Sequence, residues 1–515
     1  MKCLRGCPRK GELLLFIIVM PIGTEVRQIG QAAKGLLISK MQNEDYQKNR
    51  LKYLKNTEQN ISKRKKFLHI PDICIIFADR LKNKYMEYLS RTSDIMLQDL
   101  LDAFGAVLIE GPKWCGKTTT AEQAAKSAIR MQDTDMRDEY LATAMSKPSL
   151  LLHGDTPRLI DEWQDAPVLW DAVRTMVDKR GEPGQFILTG SNAVDKSQIH
   201  HSGNGRIAKM SMLPMSLWES KESTGEVSLL EMFNNPNYDI DGCRSKMSIE
   251  DLIFAACRGG WPGTLMARSE KAKLLIARNY VRTVCGEDIS RIDGKRRNEK
   301  LAMMILRSYA RNISSLAKKT TMLADVVSSE EIECSIDTFN DYVNALERLF
   351  VIQDIDAWCP AIRSKTVIRS SPKRGFCDPS IAVALLGLTP EALMTQLKTF
   401  GFIFEQMCVR DMKAYTQGLY SHVSYYHDRY GLEADFVLHL EDGRYALVEC
   451  KLGSNEIEEG ASHLLELKRL ICEHNKKEKQ MPIREPDLLL ILTGGQMAYT
   501  RPDGVKIIPL GCLKD

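Results

Sequence analysis

The sequence predicts an α/β protein with several domains in line. A glycine-rich stretch at 111–118 lies between a β-type run and a helix-forming run. Helical periodicity dominates residues 300–352, and an apolar hairpin pattern that contains charged residues occupies 433–453. At 515 residues the chain is long enough for three or four domains. Its 44% apolar and 27% charged residues are typical of a globular protein and exclude a disordered or fibrous one.

The net charge of +4 is unevenly distributed. Residues 1–84 contain 18 basic and 7 acidic side chains, which leaves 53 basic and 60 acidic side chains in the remainder. The body is therefore mildly acidic, which disfavours a protein that coats nucleic acid by bulk charge. The 14 cysteines form no CxxC pairs, and their scatter predicts a reducing, cytoplasmic location.

Residues 1–84 are predicted to be a basic, poorly ordered extension. The apolar run at 13–22 follows four basic residues and has the outline of a signal peptide. It is too short to span a membrane comfortably, and no small-x-small cleavage site follows at a suitable distance. We expect no membrane association, with a true signal or anchor as the alternative.

The most specific motif is GPKWCGKT, which follows the β-type run 106–110 and precedes a helix-forming run. This is the GxxxxGK(S/T) pattern in its strand–loop–helix setting. Backbone N–H groups would wrap around the phosphates of ATP, Lys117 would reach the β and γ phosphates, and the Thr118 hydroxyl would bind Mg²⁺. The predicted nucleotide-binding residues are Gly111, Pro112, Lys113, Trp114, Cys115, Gly116, Lys117, Thr118 and Thr119.

An acidic doublet, Asp161-Glu162, ends the next short apolar run. We predict that Asp161 belongs to the Mg²⁺ shell and that Glu162 is the base that orients and deprotonates the attacking water. The alternative is a doublet that only caps the following helix.

Two further roles near the γ-phosphate are predicted, one for Thr189 or Asn192 and one for Arg206. The apolar run 184–194 contains Thr189 and Asn192, either of which could hold the attacking water; ordinary turn residues are the alternative. Arg206, at the start of a fifth strand, is predicted to neutralise transition-state charge, in its own subunit or in a neighbour. The second case requires a homo-oligomer, and a surface arginine on a loop is the alternative.

These segments, with LIDEWQ, FILTGS and GR…LPMSLWE, resemble a widespread group of prokaryotic AAA-type ATPases that carry a C-terminal domain of unknown function. The resemblance covers residues 85–515. It implies an ASCE-type P-loop core of five strands at 85–225 and a helical lid at 226–298, in which RGGWPGTL and YVRTVCGEDISRID would be recurring segments.

The resemblance further implies a winged-helix domain at 299–398. Three apolar-periodic segments predict its helices: 300–313, 320–327 and 335–352. Binding of nucleic acid is not favoured, because the third segment carries Asp337, Asp341 and Glu347, which would repel phosphates. We expect a packing module instead, and the basic stretch 363–374 is the better anion-binding candidate, with a solvated loop as its alternative.

The C-terminal region 399–515 resembles the PD-(D/E)xK phosphodiesterase fold. Helix, three strands, helix and strand are predicted in that order, with Glu405 on the first helix, Asp435 on the hairpin's first strand, and Glu449 and Lys451 on one face of its second. Asp435 and Glu449 would share Mg²⁺, Glu405 would complete the shell, and Lys451 would be the catalytic lysine. Ala434 stands where the eponymous proline would be, and an ion-paired relic of an inactive fold is the alternative.

The predicted function is an Mg²⁺-dependent AAA-type ATPase that couples nucleotide state to a nuclease-like or interaction domain. Its cofactors would be ATP and Mg²⁺, and its partner an unidentified protein. Two alternatives stay open: an ATP-gated metal-dependent DNA or RNA endonuclease, and a nucleotide-dependent binding switch with negligible turnover.

Overall fold

The computed structural model describes most of the chain from residue 88 onward, in these ranges: 88–190, 201–235, 237–328, 333–358, 371–480 and 482–515. The predicted N-terminal extension at 1–84 lies outside them. Among the described residues, no helix combines the length and apolar character that a membrane span requires.

The first sheet has five parallel strands: β1 (Ala106–Glu110), β2 (Ser127–Arg130), β3 (Arg158–Asp161), β4 (Phe186–Thr189) and β5 (Ile207–Ser211). Their order across the sheet is β2–β3–β4–β1–β5. The α-helices in the described part of this region are α1 (Ser93–Ala103), α2 (Lys117–Ala124), α3 (Arg137–Ser146) and α4 (Val168–Arg180). The predicted core of five strands is confirmed.

Both faces of this sheet are buried, which is why its central strands are almost purely apolar. Alternate residues of β1 enter different cores: Leu108 packs on one face, and Val107 and Ile109 pack on the other. The parallel register brings the carboxyl ends of β1, β3 and β4 to the same edge, where Asp161 and Ile109 both lie opposite Thr189.

Helices dominate the middle of the chain: α5 (Leu229–Asn234), α6 (Ile249–Arg258), α7 (Pro262–Met266), α8 (Glu270–Thr283), α9 (Ile289–Arg291), α10 (Glu299–Arg311), α11 (Lys319–Val327), α12 (Ile336–Arg348), α13 (Pro379–Leu386) and α14 (Pro390–Thr395). A π-helical turn, Val284–Asp288, joins α8 to α9. The three predicted helices at 300–352 are confirmed as α10, α11 and α12. After α12 the chain forms antiparallel bridges from Ile352 to Phe376 and from Ile355 to Lys373.

A second sheet has six strands: β7 (His422–His427), β8 (Glu433–His439), β9 (Tyr445–Lys451), β10 (Leu488–Thr493), β11 (Tyr499–Thr500) and β12 (Lys506–Pro509). Their order is β11–β12–β10–β9–β8–β7. Two long helices accompany them, α15 (Leu397–Tyr415) and α16 (Ile457–Lys477). The predicted hairpin is confirmed as β8 and β9, which turn at Gly443 in a left-handed conformation (φ 86°).

The lid predicted at 226–298 does not have a core of its own. Its first part, from Leu229 to Cys257, packs into the same apolar core as α15 and the second sheet. Its second part, from Trp261 to Ile292, shares a core with α10, α12 and α13. A few short helices cannot form a hydrophobic core on their own. Each part of this range therefore packs its apolar side chains against larger neighbouring elements. A two-stranded pairing of β6 (Val227–Ser228) with β13 (Leu513–Lys514) joins the first part to the C-terminal region.

Candidate functional site

The phosphate-type loop at 111–118 connects β1 to α2 at the carboxyl edge of the first sheet. Gly111 has φ 149°, and a β-carbon there would lie 2.2 Å from the carbonyl oxygen of Met212. Gly116 is left-handed (φ 105°) and immediately precedes α2. Trp114 also has a positive φ, of 65°, which is uncommon for a residue with a side chain. The loop's shape therefore depends on glycine where backbones approach and where the helix begins.

Lys117 is buried at the start of α2. Its ammonium donates to the carbonyl oxygens of Gly111 (2.9 Å) and Pro112 (2.8 Å), so it lies inside the curve of the loop. Cys115 is also fully buried, whereas Trp114 and Thr119 are exposed. The helix end and the lysine together make this edge positive, as binding of an anion requires.

Asp161 joins the loop to the neighbouring strands. Its Oδ1 accepts hydrogen bonds from the hydroxyls of Thr118 (2.7 Å) and Thr189 (2.5 Å). Two hydroxyls and a carboxylate at one point are the hard oxygen donors that Mg²⁺ prefers. The residues present thus fit a magnesium–nucleotide complex, as the sequence predicts for Thr118 and Asp161.

Glu162 follows β3 in a left-handed conformation (φ 56°). Its carboxylate accepts a hydrogen bond from the side-chain amide of Gln164. Burial raises the pKa of Glu162. The hydrogen bond from Gln164 and the charge of Lys117 lower this pKa and only partly oppose the rise. A raised pKa brings a carboxylate closer to the value that suits a base at neutral pH, and a strained backbone of this kind is common at functional sites.

Arg206 lies at the wrong edge of the sheet to act in its own subunit. Its carbonyl oxygen accepts from the N–H of Ala106, the first residue of β1, whereas the loop follows the last residue of that strand. A strand of five residues separates these edges by roughly 13 Å. Arg206 pairs with Asp178 on α4 at 2.8 Å. Its predicted catalytic role within one subunit is therefore wrong, and its supply from a neighbour stays a prediction. Asn192 lies outside the described residues.

Lys113 ties the loop to the helical region. Its ammonium lies 2.5 Å from a carboxylate oxygen of Asp288, whose side chain is only 2% exposed, in the π-helical turn. The Trp114 ring meets Tyr280 edge-on at 5.6 Å, and Tyr280 packs against Trp261 at 4.4 Å. The predicted nucleotide-binding loop is thus held from one side by α8 and the turn that follows it.

A second group of charges, here called the charged cluster, consists of Lys373, Glu405, Asp435, Glu449 and Lys451. As predicted, Glu449 and Lys451 share a face of β9, and the ammonium lies 3.0 Å from Oε2 of the carboxylate. The other oxygen of Glu449 lies 3.7 Å from His463 Nδ1 on α16. Burial raises the pKa of Glu449 to about 8; the Asp435 charge adds to this rise, and Lys451 opposes it.

The charged cluster differs from the predicted metal site. Lys373 lies between Glu405, at 2.6 Å, and Asp435, at 3.3 Å. In the described part of the chain, no group of three or more histidine, cysteine, aspartate or glutamate side chains is arranged to hold a metal ion. The prediction that Glu405, Asp435 and Glu449 together ligate Mg²⁺ is therefore not what the folded chain presents, because an ammonium neutralises two of these carboxylates.

The basic stretch at 363–374 is not an anion-binding loop at its described end. Lys373 and Arg374 are both buried, and Arg374 pairs with Asp354 at 2.5 Å. Residues 363–370 lie outside the described ranges. On α12, Asp341 pairs with Arg297 at 3.0 Å and with Lys295 at 3.1 Å, so the charge of this acidic side chain is balanced within the protein.

Three residues that contact the loop at 111–118 or belong to the charged cluster are not predicted from the sequence. In the sequence Lys373 belongs to a basic stretch and Asp288 to a predicted lid segment, and no motif marks Arg91. The Arg91 guanidinium donates to the carbonyl of Cys115 in the loop (2.8 Å) and pairs with Glu219 (2.9 Å). All three make contacts across 24 to 175 residues of sequence, and no local pattern signals such contacts.

Comparisons with known proteins match three segments. Residues 103–221 match a family described as "AAA domain", residues 249–392 one described as "Domain of unknown function (DUF8612)", and residues 400–513 one described as "Domain of unknown function (DUF4143)". The second segment crosses the boundary predicted at 298/299, in agreement with the shared core of α8, α10, α12 and α13.

Two uncharacterized proteins, from Mycobacterium bovis and Mycobacterium tuberculosis, are each 25% identical to this chain over 331 residues. The match covers 62% of this chain, and the chain spans 65% of the length of these relatives. Among solved structures, a Walker-type ATPase of Pyrococcus abyssi is similar at 13% identity and a TM-score of 0.37, over 58% of this chain and 96% of that one. The ORC1 protein of Aeropyrum pernix, in complex with DNA, is similar at 10% identity and a TM-score of 0.23, over 60% and 95%.

The match over residues 103–221 includes the loop, Asp161 and the five-stranded sheet. This part of the chain is therefore similar to an AAA domain and contains a loop with the P-loop sequence pattern.

Proposed function

We propose that the chain is an Mg²⁺-dependent ATPase whose nucleotide state is passed from the loop at 111–118 to the helical and C-terminal regions. The observation that carries the proposal is the 2.7 Å hydrogen bond between Thr118 and Asp161 beside the buried ammonium of Lys117. That arrangement offers an oxygen site for a divalent cation next to a positive helix end, which suits a triphosphate.

Each residue has a distinct role in this proposal. The loop N–H groups and Lys117 hold the phosphates, and Thr118 and Asp161 hold the cation, which when bound would neutralise charge on the phosphate oxygens. Glu162 orients the attacking water and takes its proton, and Thr189 keeps the Asp161 carboxylate in position. Arg206 would act only from a neighbouring copy in a homo-oligomer.

The test is phosphate release by the purified full-length chain with ATP and Mg²⁺. We expect Lys117→Ala and removal of Mg²⁺ to abolish release, and Lys147→Ala, at an exposed position away from the loop, to leave it unchanged. If Lys117→Ala releases phosphate at the wild-type rate, the assigned site is wrong.

A nucleotide-dependent binding switch with negligible turnover is the second candidate. The contact of Lys113 with Asp288 favours it, because occupancy of the loop alone could move the helical region. Tight ATP binding with hydrolysis near zero, together with capture of a protein partner by Glu162→Gln in ATP, would support the switch over the ATPase.

An ATP-gated endonuclease is less well supported. The order of α15, β7, β8, β9, α16 and β10 favours a PD-(D/E)xK-like fold for 399–515, and the bridges after α12 favour a winged helix for 299–398. Lys373, however, lies where a metal ion would need free carboxylates. We expect no Mg²⁺-dependent cleavage of plasmid DNA or RNA; cleavage that Asp435→Ala abolishes would restore this candidate.

A further inference from the structure

The ammonium of Lys373 is surrounded by oxygen atoms of the second sheet and its helix. It donates to Oε1 of Glu405 (2.6 Å), to Oδ1 of Asp435 (3.3 Å) and to the backbone oxygen of Asp435 (3.0 Å). An ammonium has three donor protons, so these contacts use all of them. The position is therefore chemically complete without any further ligand.

This lysine also neutralises charge that could not be buried otherwise. Lys373 and Glu405 are each 8% exposed, and burial of an uncompensated carboxylate costs several kcal/mol. Burial alone would lower the pKa of Lys373, but the two carboxylates outweigh it and raise that pKa. Lys373 thus stays charged in the folded protein.

The backbone holds Lys373 in this place. Lys373 exchanges two backbone hydrogen bonds with Ile355, both 2.9 Å long. The next residue, Arg374, donates its N–H to the carbonyl of Ser315 and pairs with Asp354. The backbone of Lys373 and of the residue that follows it is therefore held in place by hydrogen bonds.

A further buried carboxylate, Glu449, lies on β9 and has a cation of its own. Glu449 is 0% exposed, and its Oε2 lies 3.0 Å from the Lys451 ammonium, with which it forms an ion pair. Asp435 Oδ2 accepts from the N–H of Cys450 at 2.8 Å, which holds its carboxylate beside β9. The oxygens around Lys373 are of the type that hard divalent cations bind. They are not free to bind such a cation, because the Lys373 ammonium already lies between them.

We propose that Lys373 is a built-in cation that replaces a divalent metal in the charged cluster, and that its removal opens a site for Mg²⁺ or Mn²⁺ on the carboxylates of Glu405 and Asp435 and the backbone oxygen of Asp435. The wild-type cluster then binds no divalent cation. This inference does not depend on the ATPase proposal, because the two sites share no residue.

The test is a titration of the nucleotide-free, full-length chain with Mn²⁺, in which unbound Mn²⁺ is counted by electron paramagnetic resonance. Relative to wild type, we expect Lys373→Ala to bind one additional Mn²⁺ per chain, and Lys373→Ala combined with Asp435→Asn to lose it. Lys373→Arg, which keeps the positive charge, should behave like wild type. The proposal is overturned if Lys373→Ala gains no Mn²⁺, or if wild type binds an Mn²⁺ that Asp435→Asn removes.

A second measurement covers the case in which Lys373→Ala is poorly folded. Ligands that bind only the folded state raise the melting temperature. Mn²⁺ should therefore raise the melting temperature of Lys373→Ala by more than it raises that of wild type. An Mn²⁺-independent melting temperature for the variant would contradict the proposal, whatever its stability.

Discussion

Asp161 is a single residue on which several predicted roles meet. The threonine of the loop and the threonine at the end of β4 both donate to the same carboxylate oxygen. A carboxylate held by two hydroxyls has a defined direction, and that direction decides how a cation and its water molecules are presented to phosphate.

Replacement of Thr189 by valine removes one of these donors without a change in volume. If the ATPase proposal holds, we expect kcat for phosphate release to fall about 10-fold while KM changes little, because the loop itself is untouched. Steady-state kinetics measures this change. Thr175→Val, which removes a hydroxyl on the exposed face of α4, is the control. A Thr189→Val enzyme with wild-type kcat would exclude the positioning role.

Because the pKa of Glu449 is raised in the folded state, we expect the stability of the protein to depend on pH. Burial raises the pKa of the Glu449 carboxyl from 4.5 to about 8, so the folded state binds this proton more tightly than the unfolded state does. The stabilisation is complete below the unfolded value and is lost as pH rises through the folded value.

Glu449→Gln cannot ionise and should therefore escape this loss. Between about pH 6 and about pH 9 we expect the melting temperature of wild type to fall by roughly 2–4 °C more than that of Glu449→Gln. Glu441→Gln, at an exposed position in the hairpin turn, should behave like wild type. Parallel curves for wild type and Glu449→Gln would contradict the assignment.

At the scale of elements, the loop at 111–118 and the π-helical turn are linked by one ion pair. Lys113 bonds to Asp288 across 175 residues of sequence, and π-helical turns are frequent at functional sites. Phosphates that enter the loop would compete with Asp288 for the Lys113 ammonium. An exchange of partners there would change how α8 is held.

This competition predicts the sign of a mutational effect. We expect Asp288→Asn to bind a fluorescent ATP analogue about 5- to 10-fold more tightly than wild type, and the gain to vanish when Lys113→Met is also present. Titration of the four proteins measures the coupling. Glu287→Gln, next in sequence but exposed and paired with Arg291, is the control. Weaker binding by Asp288→Asn would mean that Asp288 holds Lys113 ready for phosphate instead.

At the scale of the whole described unit, chain segments far apart in sequence complete one another's cores. The segment from Leu217 to Cys257 packs with the C-terminal sheet, and the pairing of β6 with β13 joins them. Two serine hydroxyls, of Ser223 and Ser228, donate to backbone oxygens of Leu513 and Asp515. The segment that follows the first sheet and the C-terminal sheet therefore form one packed structure.

Replacement of Leu513 by alanine measures how much the packing of the C-terminal strand stabilises the folded protein. Leu513 is fully buried in the shared core, so Leu513→Ala should lower the free energy of unfolding by about 2–5 kcal/mol. Chemical denaturation measures the change, and Leu470→Ala, at an exposed site on α16, should alter it by less than about 0.5 kcal/mol. An effect of Leu513→Ala as small as that of the control would show that the C-terminal strand contributes little.

Much of the candidate site could be predicted because its signals are local. A strand, a glycine loop and a helix within twenty residues need no knowledge of the rest of the chain, and the same holds for the β8–β9 hairpin and for helices α10 to α12. The pairing of Glu449 with Lys451 also follows from alternation along one strand.

The differences between the predictions and the structure have one physical origin, which is that contacts between elements far apart in sequence decide them. The sequence predicts Arg206 near the phosphates, but the parallel register puts the start of β5 beside the start of β1, at the far edge of the sheet. The family resemblance implies a lid at 226–298, and in the structure the two parts of this range are buried against different partners.

By itself the sequence determined which chain segments form strands and helices and where a phosphate-binding loop stands, because backbone conformation and side-chain periodicity are decided by near neighbours. Only the tertiary structure decided which charges far apart in sequence meet. Lys373 reaches Glu405 and Asp435, and Lys113 reaches Asp288, through packing of elements that lie 32 to 175 residues apart. Buried charges must be paired wherever the fold brings them together, and that pairing turned a predicted metal site into one already neutralised by a lysine.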